Sequence, residues 1–351
     1  LAQTLGKRLA PEKGVSMRLA AWVCVPPRFL SPTPLSLIFA STILAALSGS
    51  VTRADDSPVA AARPRPEATS PDPAIILCPS SCPCPNSWVA RTANFRIYWC
   101  TSEANIRELA ASCERLALGA RERWLGDAHP AAWTPFCEVV VHPDTNAYVA
   151  CVGPGSQTTS GCSSIGLDQG RVVLRRIDFR ADALDWNTES LPHELMHVVL
   201  ADRFSQQRIS PWADEGIAML AESPEKLKRR LTELRRAASH GAIYSLSDLV
   251  NVRSRPQLAY RDAFNGQSVA LVGLLLDWGT PAQCLDFVAA SQQKDWQAAL
   301  RDVYGERSLE LERSLNDSIW TEHAARWARS MTSPTPASAQ VAADSAPRTR
   351  Q

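Results

Sequence analysis

The chain predicts an α+β fold: a small mixed β-sheet with helices, followed by a mostly helical C-terminal half. Three observations carry this expectation. Runs of alternating bulky apolar residues, the mark of half-buried strands, fall before residue 180. From residue 212 onward the apolar residues recur at helical spacing. The composition, 45% hydrophobic and 21% charged, is that of an ordinary globular protein.

Residues 1–54 read as an upstream extension plus a signal peptide, with Met17 as the start and Arg18 and Arg28 as a basic flank. The apolar run Leu35 to Leu47 is thirteen residues long, shorter than an ordinary membrane span. Cleavage after Ser50 or Ala54 fits the small residues there, and an uncleaved anchor is the alternative. Residues 55–86 form a Pro-rich and Cys-rich linker. Residues 87–330 make the folded domain, and 331–351 a Ser/Pro/Ala-rich disordered tail.

Within the domain, Phe95–Cys100, Cys137–His142 and Arg171–Phe179 read as strands. Ser102 to Trp124 has helical spacing through Ile106, Leu109, Cys113, Leu116 and Leu118. A helix follows Ser190, which offers a cap, with Pro192 tolerated in the first turn. Pro211 and Trp212 read as a turn leading into a short apolar helix, Asp214 to Glu222. Pro224 to His240 is a Lys/Arg-rich helix whose basic face is read as solvated. Gln267 to Trp278 is an apolar buried helix, and later helices cover 281–303 and 307–328.

Charge and cysteine content bound the partners and the compartment. A net charge of +1 gives no reason to expect nucleic acid, and membrane contact is expected only if the signal is uncleaved. Of ten cysteines, eight lie between Cys78 and Cys162, which suggests disulfides and an exported protein, secreted or in a periplasm or cell envelope. The specific pair expected is Cys151 with Cys162, closing the Gly/Ser/Thr-rich loop between them. Cys78, Cys82 and Cys84 could alternatively hold a metal, though no histidine is near them.

The segment His193-Glu194-Leu195-Met196-His197 carries the chemistry. On a helix its two imidazoles share one face and can hold one metal ion. Glu194 is turned by about 100° and lies near such an ion without having to ligate it, where a general base belongs. A third protein ligand is needed. Glu215 is favoured, because small neighbours permit close helix approach, and Asp214 competes. Asp214 is also a candidate to orient a ligating histidine.

HELMH followed by WADEG resembles the gluzincin peptidases, and more narrowly the peptidase-MA-like proteins, in which a segment of the type LPHELxH precedes PxWxxEG. The resemblance is specific over residues 190–222 and loose over 93–325. It implies a zincin-like fold and one Zn2+ on His193, His197 and Glu215, with Glu194 as catalytic base. It also implies a peptide or protein substrate, held by an edge strand beside the active-site helix. The chain departs from thermolysin-like members at Met219, where they carry an Asp that orients a zinc histidine. It also lacks a Tyr in Phe264–Ser268, where aminopeptidase members stabilise the oxyanion. Tyr260 is the first substitute, with Tyr244 and His240 as others and His142 as a further contributor. These departures sustain the alternative of a catalytically inactive zincin-fold binding or scaffold protein. Hydrolysis of a non-peptide amide or ester is a third reading.

Overall fold

The computed structural model describes residues 74–79 and 87–309, apart from positions 255 and 257. The stretches read as signal peptide and tail, most of the stretch read as linker, Cys82, Cys84, and residues 310–328 of the helix expected over 307–328 lie outside the described residues.

The architecture is mixed α+β. The sheet has six strands: β1 (Ile76–Pro79), β2 (Ser87–Arg91), β3 (Phe95–Cys100), β4 (Cys137–His142), β5 (Gly161–Asp168) and β6 (Arg171–Arg180), in the order β1-β2-β3-β4-β6-β5. The β3–β4 and β4–β6 pairs are parallel and the others antiparallel. Three strands were not foreseen, among them β2, which begins at Ser87, where only the start of the folded domain was expected. β1 falls inside the stretch read as linker, where CPSSCPCP obscures a short pairing segment. β5 falls in the Gly/Ser-rich stretch read as loop, because small residues carry little strand signal of their own. The ladder with β6 holds it in place.

The described helices are α1 (Glu103–Leu125), α2 (Thr145–Val152), α3 (Leu191–Arg203), α4 (Pro211–Met219), α5 (Pro224–Ser239), α6 (Leu246–Val250), α7 (Leu258–Trp278), α8 (Pro281–Ser291) and α9 (Trp296–Tyr304). Ser102 caps α1 by accepting from the Asn105 amide, and Gly126 closes it in the left-handed conformation at φ 69°. The stretch read as one helix over 281–303 is two, broken at Asp295, whose side chain caps α9 by accepting from the Ala298 amide. α7 starts at Leu258, nine residues before the expected Gln267. None of the described helices is long and apolar enough to cross a membrane.

α3 belongs to two cores at once. Its Leu191, Leu195, Val198 and Val199 pack with Ile106, Leu109 and Cys113 of α1 against Phe95, Ile97, Val139, Ile177 and Phe179 of the sheet. Its Met196 and Leu200 pack with Trp212 and Ile217 of α4, Leu231 of α5, Val269 and Val272 of α7 and Phe287 of α8. That explains a helix apolar nearly all round. Each such leucine contributes roughly 1.5–3 kcal/mol of burial, which holds the two histidine-bearing turns rigidly between sheet and helices.

Two local expectations are corrected. Ser190 makes no side-chain cap. Its backbone is already helical (φ −80°, ψ −35°), and its hydroxyl bonds Ser160 at 2.6 Å instead. Cys151 and Cys162 are not joined by a disulfide. The Cys151 sulfur faces Arg176 Nη2 at 3.3 Å and Asp178 Oδ1 at 3.7 Å.

Candidate metal centre

α3 and α4 bring three of the predicted residues together. His197 Nε2 and His193 Nε2 are 3.3 Å apart. Glu215 Oε2 is 3.8 Å from His193 Nε2, and Glu215 Oε1 is 4.0 Å from His197 Nε2. All three residues are buried. A tetrahedral ion with bonds of about 2.0–2.1 Å separates its ligand atoms by roughly 3.4 Å. The cluster therefore fits a metal ion after closing by a few tenths of an ångström, and it is one of two groups of described residues able to hold one.

The close approach of Glu215 has a local cause in Gly216. A Cβ there would lie 2.6 Å from the Ser268 carbonyl oxygen and 2.8 Å from Val272 Cγ2, so only glycine lets α4 press on α7 at this point. Glu194 is supported from the sheet side. A Cβ on Gly161, the first residue of β5, would meet the Phe179 ring at 2.7 Å and Glu194 Cγ at 3.1 Å. Glu194 thus lies against the bare backbone of an edge strand, beside the histidines but outside the ligand triangle.

Both imidazoles are held from behind. His197 Nδ1–H donates to Asp214 Oδ1 at 2.7 Å, which turns Nε2 toward the cluster. Asp214 thus stands behind His197, while Glu215 joins the two histidines in the group that could hold an ion. Burial alone would lower the His197 pKa, but Asp214, Glu215 and Glu194 outweigh it and raise it to about 9. Without a metal, a proton answers the surplus of negative charge.

The group behind His193 is one that sequence reasoning missed. Glu222 Oε1 lies 2.9 Å from His193 Nδ1, in ion-pair range but too oblique for a straight hydrogen bond. Arg230 donates to both Glu222 oxygens at 2.7 Å, and Lys226 Nζ stands 3.2 Å away. Burial works to raise the Glu222 pKa, yet Arg230 and His193 hold it well below the usual carboxylate range. Its signal in the sequence was an acid followed by Lys and Arg four and eight residues on, a spacing that reaches back only once α5 is docked. Met219, where thermolysin-like members carry an Asp, is wholly buried in the helical core. Asp214 and Glu222 are the carboxylates at the Nδ1 sides of His197 and His193.

The remaining candidates lie elsewhere. Tyr260 is 53% exposed and its ring packs on Tyr244, which in turn packs on Phe264. His240 is exposed beyond the end of α5, with Nδ1 2.7 Å from the Arg236 carbonyl. His142 bonds Asp178 at the end of β4. The described bonds and ring contacts of these three run to Asp178, Arg236 and Tyr244 rather than to His193 or His197. The chain matches no protein-family model and no curated protein.

Proposed function

We propose that the chain is a zincin-like, zinc-dependent peptidase acting on peptide or protein substrates in an exported setting. The observation that carries this is the convergence of His193, His197 and Glu215, with Glu194 beside them and an orienting carboxylate behind each histidine.

A zinc ion held by these residues would polarise a carbonyl and lower the pKa of a water to about 7. Glu194 then takes the proton of the attacking water and hands it to the departing amine nitrogen. Asp214 and Glu222 keep the Nδ1 sides of the imidazoles occupied, so the Nε2 lone pairs stay aimed inward. Among the described residues β5 is paired only with β6 and packs beside α3, so its other edge can receive an extended peptide as an added strand. The exported setting rests on the apolar run Leu35 to Leu47 and its basic flank.

The test is Glu194→Gln, with metal content and cleavage of a mixed peptide library measured together. The expected result is full metal content and a fall in turnover of at least about 100-fold, the usual share of a general base. Unchanged turnover would refute the mechanism. The inactive binding-module alternative is supported by the packing of Tyr260 on Tyr244, with its ring half exposed. Zinc bound by the wild type with no cleavage of any library member would decide for it.

A further inference from the structure

We propose that His142, Cys151 and Asp178 form a second metal site, separate from the α3–α4 cluster, for a divalent ion of borderline softness such as Zn2+. It lies on the face of the sheet that α2 covers. Asp178 on β6 is opposite Val140 on β4, so His142, two residues further on, projects from the same face. α2 crosses above, with Tyr148 fully buried beneath it, and brings Cys151 over Asp178 near its C-terminal end. The three candidate ligand atoms all lie within 4.8 Å of one another.

The donor set is chemically specific. One thiol, one imidazole and one carboxylate suit zinc or cobalt and are a poor match for calcium or magnesium, which prefer oxygen alone. Asp178 is 4% exposed, so its charge requires a cation close by. Three donors converge on its single Oδ1: His142 Nε2 at 2.8 Å, Arg176 Nη2 at 2.7 Å and the Cys151 thiol at 3.7 Å. The Arg176 guanidinium, also 3.3 Å from the Cys151 sulfur, is the cation now in place. It has another partner to move to, since Glu138 Oε2 is 3.9 Å from Arg176 Nη1. Cys151 is exposed, which gives an ion its route in. Cys162 is in register with Asp178 on the neighbouring strand β5, outside the three-residue group.

The assignment stands independently of the peptidase reading, and its test keeps the two apart. The reduced full chain is titrated with Co2+ and Zn2+. Ions bound per chain are counted, and the thiolate-to-cobalt charge-transfer absorption is recorded. Wild type is expected to bind two ions and to show that band. Cys151→Ala and His142→Ala should each lose one ion and the band, whereas His193→Ala should lose the other ion and keep the band. Arg176→Gln should tighten the second site by about tenfold, a step the size of other changes beside a metal ligand. Because Cys151 is exposed, its variant should keep the wild-type circular dichroism, which secures the comparison if His142→Ala folds poorly. The site is overturned if the saturated wild type shows no charge-transfer band. It is equally overturned if Cys151→Ala keeps every ion, if Arg176→Gln leaves affinity unmoved, or if Cys151 proves oxidised to Cys162 and resists metal after reduction.

Discussion

Glu222 stands 2.9 Å from His193 Nδ1 and is itself held by Arg230. Replacing it with Gln keeps the size but removes the charge that both neighbours answer. Glu222→Gln should weaken zinc affinity by roughly 10–100-fold, the usual cost of losing an orienting partner. Competition against a chelator of known affinity measures this. An affinity equal to wild type would mean that Glu222 only neutralises Arg230. The asymmetry between Asp214 and Glu215 is decided at this scale too. Adjacent on α4, the two point about 100° apart, so one binds His197 from outside while the other enters the ligand triangle.

At the scale of elements, two glycines place the site. Gly216→Ala would drive a Cβ to 2.6 Å from the Ser268 carbonyl and push α4 from α7. The expected cost is about 1–3 kcal/mol, as for other overpacked contacts. Denaturant melts of the metal-free protein would read it. Gly161→Ala acts at the other side, where its Cβ meets the Phe179 ring and Glu194 Cγ. Zinc content should be retained while peptide turnover falls, because Glu194 is displaced and the ligands are not. Loss of zinc together with turnover would show that β5 supports the ligands as well. The helical elements were largely legible: Pro224 to His240 was read and Pro224–Ser239 is found, and Ser102 to Trp124 differs from α1 by a residue at each end. β5 was not legible, because GCSSIGLD has two apolar side chains that mark a strand, and pairing with β6 decides its state.

At the scale of the whole molecule, α3 joins the sheet core to the helical core, so the charge of the site is coupled to folding. In the metal-free protein the folded His197 pKa is about 9, above its ordinary 6.5. The native state therefore binds that proton more tightly than the unfolded chain does. The resulting stability is complete below about pH 6.5 and is lost as pH rises through about 9. Urea melts of chelated protein across that window should show the decline, and Asp214→Asn should flatten it. A stability that stays level or rises through the window would show that His197 is not protonated in the metal-free fold.

The amino-acid sequence by itself marked His193 and His197 as a pair able to hold one metal ion. Local spacing on one helix, His193 to His197 with Glu194 between, is a property of 3.6-residue periodicity and needs no partner. It also determined the α+β class, through alternation before residue 180 and helical spacing after 212. Tertiary structure decided what spacing cannot reach. Glu215 rather than Asp214 faces the histidines because Gly216 lets α4 settle on α7. Glu222 stands behind His193 because α5 returns Arg230 and Lys226 to it. His142, Cys151 and Asp178 meet because β4, β6 and α2 are stacked, although Asp178 is 27 residues from Cys151 and 36 from His142 in the chain. Contacts between residues distant in the chain depend on how the cores close, and that closure is a property of the whole fold.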